Sequence, residues 1–571
     1  MALIFDIETD GLLDKMTKIH CIAIYDTDKK EMFDYGPKEI DYGIGVLSKA
    51  DVGIGHNIIG FDIKAIQKIY PSFEMRKALD TLVLARLIFP NIKDKDFVTR
   101  PRGMDPKLFG KQSLAAWGQR LGVLKDTYEG GFEDYSENML EYMKQDVRVT
   151  TKLYEHCMEQ EPDPVSVELE HEIAQVCSAM EDTGFVFDTK AAAGLYGDLA
   201  AKRDDIKQRM ENMFEPTIIK LKTKTKTIPF NPGSRQQIAG RLKDKYGWKP
   251  KQLTPAGQPK IDETILGQLK FPEAQTLAEY FMLDKRVAML AEGNQGYLKL
   301  VDKDGYLRGR YIPNGAVTGR ATHFSPNVAQ VPSLRLPYGR EIRALFTVPD
   351  GWRLTGCDLS GLELRCLAHY LHSFDKGEYA TELLNGDIHT KNQEAAGLPT
   401  RDSAKTFIYS LIYGAGDEKL GQVIGGGRED GRKIRNKFFT AIPAIKQLRK
   451  AVEHRVDSRK YLTGLDGRKL YARSSHSAVN MLLQSAGALI AKRWLIIAKK
   501  NLLKHYEHGW DKDFVFCAWV HDEVQTACRK EIAEDVGNII RGSAQEAGES
   551  FKFRCPIDAE YNIGTDWANT H

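Results

Sequence analysis

No two of the eight cysteines in this chain stand in a C-x-x-C spacing. Cys21, Cys157, Cys177, Cys357, Cys366, Cys517, Cys528 and Cys555 are scattered, which argues against a thiolate zinc site and suits a reducing compartment. Excess charge of one sign is lacking too: 81 Lys and Arg stand against 78 Asp and Glu, a net of +3. Polyanion binding must therefore come from local patches and not from the overall field. No apolar run approaches the ~20 residues that a bilayer span needs. Strand-like sequence begins at residue 2, which leaves no room for a signal or transit peptide. A cytoplasmic protein without membrane contact is expected. What is present is an ordinary globular composition, 28% charged and 42% apolar over 571 residues. That length holds roughly three to five domain-sized units.

Residues 1–155 read as a first domain. Ala2–Glu8, Ile19–Tyr25 and Val52–Gly55 have the short apolar character of buried strands. The two-residue strand period brings Asp6 and Glu8 out on one side. His56-Asn-Ile-Ile-Gly-Phe-Asp62 turns into a helix, and Tyr142 and Asp146 sit one helical turn apart. Four acids from three segments, Asp6, Glu8, Asp62 and Asp146, suit two hard divalent cations able to stabilise attacking and leaving oxygens at phosphorus. Tyr142 can orient the attacking water. Each motif alone also describes chance surface acids. Together and in order they resemble the three motifs of DEDD exonucleases, tyrosine subtype.

Pro162 and Pro164 mark a linker into a middle segment, residues 156–305, with helical periodicity over Glu168–Met180, Ala191–Met213 and Leu277–Leu290. From Pro216 to Lys260 there are eleven Lys and Arg against a single acid, Asp244. Such a run is either a solvated loop or a track for phosphates, and Asn231-Pro-Gly-Ser-Arg235 adds a capped helix start.

In residues 306–571, Trp352–Arg365 reads as a strand ending at Asp358 that turns into a helix carrying Glu363 and Arg365. Phe514–Ala527 reads as two strands hinged at His521-Asp522-Glu523. Consecutive acids at a hairpin tip repel each other unless a cation sits there. Between them, Thr400–Gly416 reads as a helix with Thr400 at its cap. Along it Arg401, Lys405, Tyr409 and Tyr413 recur every fourth residue, drifting only about 40° per step. Two cations followed by two rings fit a ligand with phosphates at one end and a flat base at the other. Alone, the same spacing fits a surface helix with its cations in water and its tyrosines in the core.

The blocks C-D-L-S-G-L-E-L-R, D-I-H-T-K-N-Q, T-R-D-S-A-K-T-F-I-Y-S-L-I-Y-G and W-V-H-D-E-V-Q resemble motifs A, B and C of family A DNA polymerases, the phage replicative kind in particular. The resemblance covers nearly the whole chain. It implies an α/β multidomain fold, a ribonuclease H-like DEDD exonuclease domain followed by a right-hand polymerase. The expected division is exonuclease 1–155, thumb with a basic tip 156–305, palm 306–370 and 471–571, and fingers 371–470. It implies that Asp358 and Asp522, with the Leu359 carbonyl, hold the palm metals, with Glu523 as the neighbouring catalytic acid. Glu363 and Tyr409 exclude a ribose 2′-hydroxyl, and a Tyr at 409 tolerates dideoxynucleotides. His389, Arg401 and Lys405 take the triphosphate, and Tyr413 lines the nascent-pair pocket. Arg320, Asn480, Gln484 and His521 touch DNA. Two Mg²⁺ ions per active site are implied, with Mn²⁺ as a substitute.

The implied partners are primer–template DNA, deoxynucleoside triphosphates and a phage helicase-primase in the host bacterial cytoplasm. Phage members of the family carry a long thumb insertion that recruits thioredoxin. Here the short stretch Lys220–Lys226 stands in its place, so thioredoxin is not expected; an upstream nuclease of the bacterial repair-polymerase kind, and with it nick translation, is not expected either. Two other readings compete: a single-subunit RNA polymerase, which Glu363, the acid pair and the exonuclease motifs oppose, and an exonuclease with an inactive polymerase half, which the complete set of motif acids opposes.

Overall fold

The computed structural model describes residues 1–125, 128–220 and 225–571. Its N-terminal unit is built on a five-stranded sheet of β1 (Ala2–Thr9), β2 (Ile19–Asp26), β3 (Glu31–Tyr35), β4 (Val52–Gly55) and β5 (Ala78–Asp80), in the order β3-β2-β1-β4-β5. β1 runs antiparallel to β2 and parallel to β4, which pairs in parallel with β5. Because β1 is buried on both faces, its alternate residues feed two cores. Leu3, Phe5 and Ile7 pack with Ile44, Leu47 and Ile66. Ile4 packs under Met139, Leu140, Met143 and Val147 of the helix Glu137–Met158. The register of β1 against β2 shifts at Glu8/Thr9, an irregularity of the kind that re-aims side chains at a strand end.

The expected linker prolines are not a loose hinge. Asp163 accepts from Val165 N at 2.9 Å as the cap, and Pro164 opens the helix Pro164–Thr183. That helix packs through Leu169, Ile173, Val176 and Met180 into the core of the C-terminal sheet. A separate core follows, formed by Thr189–Met213 and Pro272–Val287 with Phe185 and Phe187. From it projects an antiparallel hairpin, Thr217–Lys220 with Thr225–Ile228, whose exposed residues include Lys226. The register pairs Lys220 with Thr225 and Ile219 with Lys226, so Lys220 and Lys226 fall on opposite faces. Leu221–Lys224, the rest of the lysine-alternating stretch, lies outside the described residues.

The C-terminal sheet has four strands in the order Phe514–Val520, Glu523–Arg529, Trp352–Leu359, Ala559–Gly564, all antiparallel to their neighbours. It is buried on both sides, with Val515, Cys517 and Ala527 facing one core and Phe514, Phe516, Val524 and Cys528 the other. The second core is dominated by the helix Ala478–Leu502. This 25-residue helix is long and apolar enough to cross a bilayer, which the sequence reading had excluded for any run; 83% of its most apolar window is buried inside the protein. At its centre Lys492 is fully buried and donates to Glu170 at 2.5 Å. Arg468 donates to the same Glu170 oxygen at 2.5 Å and to Asp466 at 2.7 Å. Two acids and two cations, all buried, thus tie Pro164–Thr183, the hairpin Leu462–Leu470 and Ala478–Leu502 together. All eight cysteines are free and buried.

Candidate active sites

The strand Trp352–Leu359 sets the first site. Its register places Asp358 opposite Glu523, and Leu359 N donates to Asp522 O at 3.0 Å, so the ends of the two acid-bearing strands are bonded together. Burial, and next the Asp522 charge, push the Asp358 carboxyl up to about 8. Burial, and next Glu363, push Asp522 up to about 6. Burial and crowded acids disfavour charge on both aspartates, on Asp358 most, and a nearby cation would favour their ionised forms. The residues therefore fit the divalent ions that the sequence implies. His521 precedes them in a left-handed conformation, φ 58°, braced by Trp519 Nε1 donating to His521 O at 3.0 Å. A non-glycine residue held in this region marks a site over-determined by its surroundings. Arg320, His521 and Asp522 line one cleft with Leu362 and Trp519.

Glu523, beside Asp522, has several partners of its own. Its carboxylate accepts from Trp567 Nε1 at 2.5 Å and Gln525 Nε2 at 2.7 Å, and it pairs with His571 Nδ1 at 2.9 Å and Arg343 at 3.8 Å. Although burial works against its charge, these partners hold the carboxyl below its usual range. These partners enclose the carboxylate at the strand end, across from Asp358.

Opposite the aspartates stands the helix Arg401–Ile412. Thr400 caps it through a capping box with Ser403. Ala404, Phe407, Ile408 and Ile412 face the core, Arg401 and Lys405 are exposed, and Tyr409 is half-buried. Tyr413 lies one residue past the helix and is exposed. Tyr409 packs against the edge of the core while Tyr413 does not, so the plain amphipathic reading fails at Tyr413. Arg401 Nε donates to Asp387 Oδ2 at 2.8 Å, and Asp387 also accepts from His389 N at 3.1 Å and Thr390 Oγ1 at 2.8 Å. One carboxylate thus docks the start of Ile388–Ala396 on the start of Arg401–Ile412, bringing His389 beside Arg401 and Lys405. Burial and then those two cations lower the His389 pKa.

Glu363, on the first turn of Leu362–Asp375, accepts from Tyr413 Oη at 2.6 Å, with Arg320 at 3.7 Å. The expected partner, Tyr409, makes no hydrogen bond to Glu363 among the described residues. It stands close enough that Glu363, Asp522 and Asp358, after burial, push its phenol up to about 12. Asn480 accepts from Gln484 at 2.8 Å on the long helix, and its side chain faces Gly414.

The second site lies at the end of β1. Ligand oxygens of Asp6, Glu8 and Asp146 fall within 4.8 Å of one another. Asp62, nearly fully buried, lies beside Asp6, and its Oδ1 is buried with no hydrogen-bond partner. Burial first, and then Asp62, Asp146 and Glu8, raise Asp6 well above its usual range. Burial and then Asp146 push Glu8 up to about 8, and Asp62 rises to about 7, chiefly through burial. An orphaned carboxylate oxygen inside a cluster of mutually repelling acids fits a divalent metal centre. Tyr142 and Asp146 lie on the helix Glu137–Met158, as expected.

Residues 198–569 match the family model of DNA polymerase family A, and residues 3–158 match the RNase H superfamily. The chain belongs to DNA polymerase family A. It is 37% identical, over the full length of both chains, to DNA-directed DNA polymerases of Enterobacteria phage T3 and Escherichia phage T7. The alignments run 705 and 708 positions against 571 residues, so those relatives hold segments with no counterpart in this chain. A solved structure titled as the POL domain of Pol1 from M. smegmatis with DNA primer-template and dNTP has the same fold. The TM-score is 0.77 at 17% identity, covering 99% of this chain and 96% of that one. This family A polymerase thus carries an RNase H-like exonuclease domain ahead of its polymerase unit.

The sequence motifs contain the acids of both sites but do not single out two residues, Asp387 and Lys125, or one contact of Tyr413. Asp387 stands inside D-I-H-T-K-N-Q, and its capping position was a readable signal. Tyr413 as the hydrogen-bond partner of Glu363 depends on a contact 50 residues apart. Lys125, whose ammonium lies 2.5 Å from Asp146 Oδ2, belongs to no motif.

Proposed function

We infer that the protein is a DNA-templated DNA polymerase that extends a primer with deoxynucleoside triphosphates and proofreads at a separate 3′→5′ exonuclease site. That Tyr409, on the helix that carries Arg401 and Lys405, stands beside Glu363, Asp522 and Asp358, while Tyr413 just beyond it bonds Glu363, is the observation that carries the reading. Primer–template DNA and deoxynucleotides are the substrates that family A membership implies. We assign residues 1–155 to the exonuclease, 371–470 to the fingers, and 306–370 with 471–571 to the palm. Within 156–305 the basic hairpin is the thumb tip, and Pro164–Thr183 is counted with the palm core it packs into. As a phage-type enzyme it would work in the bacterial cytoplasm beside a helicase-primase, without the thioredoxin site.

Divalent cations, Mg²⁺ or in its place Mn²⁺, supply neutralisation of phosphate oxygens when held by Asp358, Asp522 and the Leu359 carbonyl, or by Asp6, Glu8, Asp62 and Asp146. The protein's own residues do the positioning. Arg401, Lys405 and His389 bind the triphosphate so that the primer 3′-hydroxyl meets the α-phosphate in line with departing pyrophosphate. Tyr409 and the Glu363–Tyr413 pair wall the sugar and base. Arg320, Asn480, Gln484 and His521 bear on the duplex. Glu523 acts through its strand, fixing the adjacent Asp522. In the exonuclease, Tyr142 orients the attacking water.

The test is primer extension by the Asp6→Ala, Glu8→Ala double variant, offered deoxynucleotides or ribonucleotides. The double variant should extend with deoxynucleotides and no longer degrade primers. Failure to extend, or efficient ribonucleotide synthesis without a primer, contradicts the reading.

A further inference from the structure

The exonuclease site holds a cation of its own. Lys125 comes from the loop between the helices Leu114–Leu121 and Glu137–Met158. The loop is fixed where it leaves the helix: Gln145 Nε2 donates to Leu124 O at 2.7 Å, and a Cβ on Gly118 would lie 3.2 Å from Lys125 N, a close approach that only glycine allows without adjustment. So anchored, the side chain is three-quarters buried. It puts Nζ 2.5 Å from Asp146 Oδ2 and 4.8 Å from the centre of the Tyr142 ring.

Asp146 is one of the three acids whose oxygens fall within 4.8 Å of one another, so the ammonium sits at the same carboxylates that would hold a divalent ion. A lysine amine is a cation at neutral pH, and here it lies against a carboxylate and over an aromatic ring, both of which attract that charge. Four carboxylates balance two divalent ions. A fifth positive charge bonded to one of those carboxylates is then in surplus, and must give up its contact when the second ion enters.

Resting on the exonuclease reading, we propose that Lys125 is a functional residue of the nuclease site, an ammonium that competes with a divalent cation for Asp146 and sets how much metal this site needs. The polymerase site has no counterpart among the described residues: no lysine bonds Asp358 or Asp522. The two activities of one chain therefore load metal at different concentrations, the nuclease at the higher. Displaced from Asp146, the ammonium stays beside Tyr142.

Mn²⁺ binding to the full-length chain, followed by calorimetry and by the electron paramagnetic resonance signal of free Mn²⁺, tests this without reference to turnover. An Asp358→Asn, Asp522→Asn background silences the polymerase site. In it, Lys125→Met should bind its weaker Mn²⁺ roughly tenfold more tightly than the unmodified lysine, the effect of removing one charge-assisted hydrogen bond. Lys125→Arg should stay near the lysine value. Unchanged or weaker binding in Lys125→Met overturns the proposal. An Asp6→Ala, Glu8→Ala control separates the two levels of failure. If it removes the binding but Lys125→Met does not tighten it, Lys125 alone is misassigned. If it leaves binding unchanged, the metal site itself is wrong and the proposal falls with it. Primer extension by the single Lys125→Met variant confirms that the chain is folded.

Discussion

Tyr413 Oη donates to Glu363 Oε1 at 2.6 Å, joining the end of the Arg401–Ile412 helix to the first turn after the Asp358 strand. The bond ties together two elements that carry proposed nucleotide contacts. It also fixes the Glu363 carboxylate at a set height. Glu363→Ala should raise ribonucleotide incorporation by at least roughly tenfold, the scale of one hydrogen bond to a charged group. Tyr413→Phe should leave the carboxylate in place but less fixed, with a smaller loss of discrimination. Single-nucleotide insertion with matched deoxy- and ribonucleotides measures both. Unchanged selectivity in Glu363→Ala refutes the sugar-filter role.

Metal and proton compete at both acid sites, and the sign follows from the raised pKa values. A carboxyl whose pKa is raised on folding favours the fold while it is protonated. That contribution fades as pH rises from the ordinary carboxylate range through the folded value. For Asp358 and Glu8 the window reaches about 8, and for Asp522 about 6. Metal-free protein should therefore lose stability between pH 5 and pH 8, and added Mg²⁺ should restore more of it at pH 8 than at pH 6. Calorimetric melting with EDTA or Mg²⁺ across this range is the check. A Mg²⁺ shift independent of pH contradicts it.

Asp387 accepts from both Arg401 and the amides that start the next helix, so it should matter for binding and not for chemistry. Asp387→Ala is expected to raise the deoxynucleotide KM roughly two- to five-fold, the scale of an exposed ion pair, with kcat little changed. Asp387→Asn keeps the cap and should lie between. Steady-state insertion kinetics separate the two constants. A fall in kcat at constant KM rules out the positioning role.

How much of this was legible depended on range. The acids of β1 follow from a strand period, and Arg401, Lys405 and Tyr409 from a helical one, so local pattern placed them correctly. Tyr413 was put on that helix but falls just past its end, where the chain turns through Gly414 at φ 75°. The role expected of Glu523 follows from the motif resemblance, while its surroundings do not. Its cage comes from Trp567 and His571, 44 and 48 residues on, and from Arg343, which no local pattern connects. The buried Glu170–Lys492 pair spans 322 residues and was invisible for the same reason.

That pair gives a stability prediction. Breaking a buried ion pair leaves an uncompensated charge and costs about 3–5 kcal/mol. Glu170→Gln strands Lys492 and part of Arg468, and should lower the denaturation midpoint accordingly. Replacing Lys492 by Met together with Glu170→Gln should recover part of the loss. Denaturant titration of the two variants decides. A double variant no more stable than Glu170→Gln shows that the pair is not the unit.

The central claim is that two separate acid clusters carry two separable reactions in one chain. Asp522→Asn and the Asp6→Ala, Glu8→Ala variant, assayed side by side on one labelled primer–template with and without deoxynucleotides, test it most directly. Asp522→Asn should lose extension and still shorten the primer, while the double variant should extend it and not shorten it. Loss of both reactions in either protein, or extension surviving Asp522→Asn, contradicts it.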